Sequence, residues 1–317
     1  MPRHLRDRDP KKLHLITCRT RRARIWLIPS KDINELIGGI IARYQERHEI
    51  ELFAYSFLGN HYHQLARAPK ENLARYAEDI NKQLALRIDR YYGRTGTLWS
   101  RRYADQPTIT ETDEEQGWLY VTTNATKHGL VPHPRQWPGL HSWEHCQTGK
   151  DREFRFTHWD SFNQAKRTAP PSRPVHLSDH QTKHILRISA LPQYAHLSWE
   201  ERNGILLPLA EERIEELHLE REKEGKGYLG RKNILIQVPG SPPHKVSRSP
   251  QPSCYSKSPE AKAQYRAEQR AKREAYTEAS YRFRSGEYNV EFPEYTYRPP
   301  LHHQPKPNSP PQHAPPS

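Results

Sequence analysis

Two histidines one residue apart, His61 and His63, stand in Phe57-Leu58-Gly59-Asn60-His61-Tyr62-His63-Gln64-Leu65. Apolar residues precede them and a strand-like alternation runs through them, so both imidazoles project to one face with Tyr62 on the other. Imidazoles presented this way on a rigid element can share one divalent cation. The spacing alone is a weak signal in a chain with 19 histidines. A second stretch, Trp118 to Gly129, strengthens it. Tyr120, Asn124 and His128 recur there at i, i+4 and i+8 and share one helix face. The amide oxygen of Asn124 could complete a site for Mg²⁺ or Mn²⁺, which take oxygen ligands. Tyr120, one turn back, would point its phenol at the same place. A metal-polarised phosphodiester next to a phenol is an arrangement for covalent strand cleavage. Each residue also has a plainer reading: Tyr120 as a core tyrosine beside Trp118, Asn124 as a surface residue, and His128 as a charge at a helix C-terminus.

The elements that must carry these residues can be read in order. Leu13-His14-Leu15-Ile16-Thr17 and Ile25-Trp26-Leu27-Ile28 are two apolar runs joined by a basic loop, a pattern that predicts strand, loop and second short strand. Ser30 caps a helix with Ile33, Leu36, Ile37, Ile40, Ile41 and Tyr44 on its apolar face. Ile50 to Leu58 predicts a strand, and Asn60 a tight turn into the histidine strand. A second helix starts near Glu71, with Leu73, Tyr76, Ala77, Ile80, Leu84, Ile88 and Tyr91 on one side, and stops at Gly93. Thr110 or Thr112 caps a third helix that runs on to Gly129. This order fits an α+β fold: a ferredoxin-like antiparallel sheet with helices on one face.

The net charge is +13. It favours an anionic partner, nucleic acid before an acidic membrane. Arg19, Arg21, Arg22 and Arg24 crowd the first loop, and Trp99, Arg101 and Arg102 interleave ring and charge before the third helix. Arginines can meet phosphates while bases stack on such rings, which suits single-stranded nucleic acid. The competing readings are a solvated loop and a buried Trp99 anchor. No apolar run reaches membrane-spanning length, and the first residues lack the apolar core of a signal peptide. The three cysteines, Cys18, Cys146 and Cys254, are scattered. They suggest neither a disulfide framework nor a metal site, and a reducing cytoplasm, at the nucleoid for a DNA-binding chain, is the expected compartment.

Beyond Pro132 the texture changes. Trp137, Trp143, Phe154, Phe156, Trp159 and Phe162 lie among polar residues, as in an irregular segment draped over the first domain. Residues 165–179 read as a linker, Ser198 to about Glu224 as a helix, Asn233 to Val238 as a short strand, Pro239 to Pro259 as disordered, and Ala261 to Arg282 as a charged helix. The expected division is 1–145 catalytic, 146–298 an accessory extension, and 299–317 a disordered tail rich in Pro, His and Gln.

Together, Asn60-His61-Tyr62-His63, Leu98-Trp99-Ser100-Arg101-Arg102-Tyr103 and Tyr120 with Asn124-Ala125-Thr126-Lys127-His128-Gly129-Leu130-Val131 resemble the HUH single-tyrosine transposases, in particular the REP-associated tyrosine transposases. The resemblance covers roughly Leu13 to Trp143. It implies a divalent metal, Mg²⁺ or Mn²⁺, on His61 and His63 with an amide ligand at Asn124. It also implies Tyr120 as nucleophile, forming a 5′-phosphotyrosine link during cleavage and rejoining of single-stranded DNA, with hairpins as candidate targets. Gly59 and Ala125 stand where relatives often carry proline, a departure that touches local geometry and removes no chemical group. The alternative is a domesticated protein that binds DNA hairpins without cutting. An RNA-binding module on the same open sheet would normally present paired aromatics in its central strands, and these are missing. The sequence leaves a homodimer open.

Overall fold

A computed structural model describes residues 5–170, 172–243 and 252–300. The chain forms two compact units: Arg8–Tyr265, and a smaller one whose described residues are 5–7 and 266–300.

The larger unit is built on a four-stranded antiparallel sheet. Its elements are β1 (His14–Arg19), α1 (Lys31–His48), β2 (Glu51–Phe57), β3 (His61–Arg67), α2 (Leu73–Tyr92) and β4 (Ala104–Pro107), in the spatial order β2-β3-β1-β4. Two β-α-β halves with strand order 4-1-3-2 are the ferredoxin-like arrangement that the sequence predicts. Local chemistry sets the ends of the elements. The Ser30 hydroxyl accepts from Ile33 N and opens α1, and Gly93, with φ 61°, closes α2 in the left-handed region.

Alternation divides the sheet into two faces. Ile16, Cys18, Tyr62 and Ala66 join α1 and α2 in the main core. Leu13, Leu15, Ala54 and Leu65 belong to a second cluster with Trp118, Leu119 and Val121 of α3 (Glu111–Thr122). A helix therefore covers part of the second face as well. The side chains of Thr17, Arg19, His61 and His63 alternate onto that second face, beside α3.

Three local expectations need correction. Ile25 to Ile28 is not a strand: Arg22 and Ala23 both have positive φ, which turns the chain out of the sheet, and only Ile25 pairs, in an isolated bridge to Ser241. The third helix does not run unbroken to Gly129. It stops at Thr122 and resumes as α4 (Asn124–Lys127), with the Thr123 hydroxyl turned back onto Leu119 O at 2.7 Å. Residues 231–235 are helix rather than strand.

The extension is folded, not draped. α5 (Trp143–Thr148) buries Trp143, and β5 (Arg152–Thr157) pairs antiparallel with β6 (Gln181–Leu186) around α6 (Trp159–Thr168). Phe154 and Phe156 of that hairpin enter the main core, and α1 receives it across Gly38 and Gly39. A Cβ on Gly38 would fall on the Phe154 ring, and one on Gly39 on the Arg155 carbonyl. α7 (Trp199–Lys223) opens on a Ser198/Glu201 capping box and packs Leu206, Ala210 and Ile214 against α3. α8 (Arg231–Leu235) follows. The region expected to be disordered is partly ordered: Ser241 bridges Ile25, and Tyr255 bridges Thr108 and donates from its hydroxyl to Gln116 O at 3.0 Å. Residues 244–251 and 301–317, the latter taking in nearly all of the expected tail, lie outside the described residues.

α9 (Pro259–Arg284) belongs mostly to the smaller unit. There Ala279, Phe283 and Val290 pack together, and Lys272 pairs with Asp7 at 3.7 Å. Among the described residues no helix is long and apolar enough to cross a membrane.

Candidate metal and nucleophile site

β1 and β3 pair in register, Arg19 opposite His61 and Thr17 opposite His63. This fixes what each histidine meets. Asn60 donates from Nδ2 to Ala23 O at 2.9 Å, which orients its amide. Its Oδ1 must then accept, at 2.6 Å, from Nδ1–H of His61. His61 keeps its lone pair on Nε2. The Thr17 hydroxyl lies 2.7 Å from Nδ1 of His63, and the Tyr120 hydroxyl lies 3.4 Å from Nε2 of the same ring. Both hydroxyls can donate or accept, so either tautomer of His63 satisfies them; in the one with Nδ1–H toward Thr17, both histidines present Nε2. An imidazole with its far nitrogen held by a hydrogen bond is oriented as metal-binding histidines are.

The rings cluster. His61 meets His63 edge-on at 5.0 Å and His128 at 5.2 Å, while Tyr120 meets His63 at 5.0 Å. One nitrogen from each of His61, His63 and His128 lies within 4.8 Å of the others. Burial holds the imidazolium forms well below their ordinary range: His63 is pushed down to about 3 and His128 to about 4, and His61 falls as well. Neighbouring histidines and Arg19 add to the effect on His61, and His128, Lys127 and Arg19 on His63. All three rings are neutral at neutral pH, with lone pairs to give. The donor set therefore fits a divalent ion.

Tyr120 lies on the last turn of α3. Burial raises its phenol above the usual value, opposed by the Asn124 amide. Asn124 itself is fully buried, and although it is close enough to favour the phenolate, neither amide atom makes a hydrogen bond of good geometry. The Lys127 ammonium stands 4.3 Å from the centre of the Tyr120 ring, and the Tyr255 ring packs against it at 6.0 Å.

His61, His63, Tyr120 and Arg19 thus come together at one end of the sheet. The other basic residues form a neighbouring edge. The segment after α2 runs beside the first loop: Arg21 N donates to Leu98 O at 2.7 Å, and Ser100 N to Arg19 O at 2.9 Å. Arg21, Arg22, Arg24, Arg101 and Arg102 are exposed. Arg24 also donates to Gly240 O at 2.7 Å. Trp99 is different. Its Nε1 donates to Asn81 O at 2.8 Å and its ring meets Tyr62 edge-on at 5.7 Å, so it anchors the loop to α2. Thr17, the anchor of His63, and His128 as a member of the ring cluster were not singled out by the sequence. His128 shares the Tyr120 face at i+8, and Thr17 becomes visible only once the β1–β3 register is known.

Residues 10–121 match the family described as transposase IS200 like. No curated protein matches the chain. Among solved structures, the chain is similar to a REP-associated tyrosine transposase bound to a REP hairpin, with 18% identity over 47% of this chain and 86% of that one and a TM-score of 0.39. It is also similar to a candidate transposase from Deinococcus radiodurans R1, at 18% identity over 35% of this chain and 87% of that one, with a TM-score of 0.27.

Proposed function

We propose that this chain is a DNA strand transferase that cuts and rejoins single-stranded DNA through a covalent tyrosine intermediate. The observation that carries the reading is the Tyr120 hydroxyl 3.4 Å from His63 Nε2, beside the second histidine of the pair, in a domain that matches a transposase family. His61 and His63 hold a divalent ion, Mg²⁺ or Mn²⁺ on the expectation from sequence, with the Asn124 amide as the expected oxygen ligand. When bound, the ion draws charge from the scissile phosphate. Tyr120 gives up its phenolic proton to solvent and bonds its oxygen to phosphorus as the bond to the 3′ oxygen breaks; that oxygen takes a proton from solvent, leaving a 3′-OH and a 5′-phosphotyrosine. Arg19 faces the same cluster and offsets the phosphate charge. Arg21, Arg22, Arg24, Arg101 and Arg102 track the backbone of the strand. Trp99 supports the loop that carries the last two. Residues 1–145 carry the chemistry and 146–298 an accessory role. A DNA substrate, hairpins included, would hold the protein at the nucleoid.

The test is adduct formation on a denaturing gel, with Mg²⁺ or Mn²⁺ and single-stranded oligonucleotides that carry hairpins. Wild type should shift the labelled strand, and chelation should abolish the shift. Tyr120→Phe keeps the ring and loses the oxygen, so it should bind DNA and form no adduct. A full-strength adduct with Tyr120→Phe would move the nucleophile elsewhere. Hairpin binding by wild type with no adduct on any such strand would leave a DNA-binding protein only.

A further inference from the structure

We propose that the third ligand of this site is the imidazole of His128, making it a three-imidazole centre that takes a transition-metal ion in preference to Mg²⁺ and leaves the Asn124 amide to hold the Tyr120 phenol. The inference rests on the reading of His61 and His63 as metal ligands, and it changes what they hold.

Three observations carry it. The first is distance. Metal–imidazole bonds are about 2.0–2.1 Å, so nitrogens on one ion stand no more than about 4.2 Å apart. The three nitrogens lie within 4.8 Å of one another, a gap that small ring rotations close. His128 follows the end of α4 and lies at the outer edge of the cluster, where part of its surface meets solvent. The second is orientation: the Nδ1 atoms of His61 and His63 are engaged by Asn60 and Thr17, so both rings offer Nε2 toward the place where the His128 ring meets His61. The third is Asn124. Its amide is fully buried close enough to the Tyr120 phenol to favour its charged form, and no other residue engages either of its polar atoms. An amide so placed serves the nucleophile.

The chemistry follows from the donor set. Mg²⁺ prefers an octahedron of oxygens and gives up water reluctantly, whereas imidazole suits Zn²⁺ and its first-row neighbours. Among the described residues no carboxylate joins the cluster, so the charge of the ion would be undiminished by its protein ligands.

The experiment measures metal binding by the full-length protein, stripped of metal and without DNA. Free Mn²⁺ is followed by its electron paramagnetic resonance, Zn²⁺ by competition with a chromophoric chelator, and Mg²⁺ by calorimetry. Zn²⁺ should bind more tightly than Mn²⁺, and Mn²⁺ far more tightly than Mg²⁺. His128→Ala should weaken Mn²⁺ and Zn²⁺ by at least about 10–100-fold, the loss that follows removal of even a supporting partner. Asn124→Ala should change them by less than about threefold. Pulsed resonance on the Mn²⁺ protein should count three coupled imidazole nitrogens in wild type and two in His128→Gln, the variant used if His128→Ala unfolds. If His61→Ala and His63→Ala abolish binding while His128→Ala does not, the proposal fails and the two-histidine reading stands. Binding that is lost with Asn124→Ala, or that prefers Mg²⁺, also overturns it. If wild type binds no metal, both readings fall.

Discussion

Thr17 is an unremarked residue of β1 until the strands are aligned, and then it is the hydroxyl that meets Nδ1 of His63. Thr17→Val keeps the shape and removes the acceptor. The ring should then flip between tautomers, and Mn²⁺ affinity should fall about 10–100-fold, with little change in the melting temperature. Unaltered affinity would show that packing alone orients the imidazole. His61, His63, Tyr120 and Asn124 could be singled out from type and spacing, because alternation and helical period are local. Thr17 and the role of Asn60 could not, because each depends on a partner chosen by the fold. His128 falls between: its face was legible and its neighbour was not. Histidines away from this cluster set an acid limit. Burial pushes His141 down to about 3 and His145 to about 4, and Arg152 adds to both. Folding therefore favours their neutral forms. Their contribution is complete above the unfolded value near 6.5 and is lost as pH falls toward the folded values. Each group contributes at most about 1.4 kcal/mol per pH unit in that window. The urea midpoint of the metal-free protein should drop between pH 7 and pH 5, and His141→Gln should shrink the drop. An equal drop in the variant would clear His141 of the effect.

At the scale of elements, the helices and the paired strands follow from period and caps. What sequence could not supply was where the extension docks. Gly38 and Gly39 interrupt the apolar face of α1, and in isolation each only weakens a helix. With β5 against them they are the surface that admits a backbone. Gly39→Val would press on the Arg155 carbonyl and should destabilise the larger unit by about 1–3 kcal/mol, the usual range for overpacking, readable in a chemical denaturation curve. A neutral effect would mean that the hairpin moves away at no cost. The short segment Ile25–Ile28 has the composition of a strand, but the left-handed pair Arg22 and Ala23 before it decides the direction of the chain. That turn also displays three arginines. Replacing Arg21, Arg22 and Arg24 with glutamine should lower the slope of log affinity against log salt for single-stranded DNA, by roughly 0.7 for each phosphate no longer neutralised. Arg21 and Arg24 already donate to Thr97 Oγ1 and Gly240 O, but these neutral acceptors leave both charges in place, so the decrease should correspond to as many as three phosphates. An unchanged slope removes the loop from the interface.

Across the whole chain, the ferredoxin-like half was legible because its signals are local and repeated. The rest was harder. Aromatic residues scattered among polar ones gave no period, and the ordered pieces around Ser241 and Tyr255 are held by pairing with Ile25 and Thr108, far away in sequence. Composition marked those stretches as unable to fold alone, which is compatible with their folding against something else.

The hairpin on α1 has a consequence for the integrity of the polypeptide. β5 and β6 pair along their full lengths, yet the stretch between α6 and β6 is largely exposed around Arg173. One peptide bond cut there would sever the chain between two strands of the same ladder. Both ends would remain gripped, β5 by the helix beneath it and β6 by β5, with Gln45 holding the backbone of Arg187 on either side of its amide. With a site-specific protease's recognition sequence inserted after Arg173, cleavage by that protease should therefore yield two fragments on a denaturing gel that migrate together under native conditions. Fragments that separate at once would mean that this ladder cannot outlive its covalent link. Fragments that stay together would make this a protein that can be assembled from halves.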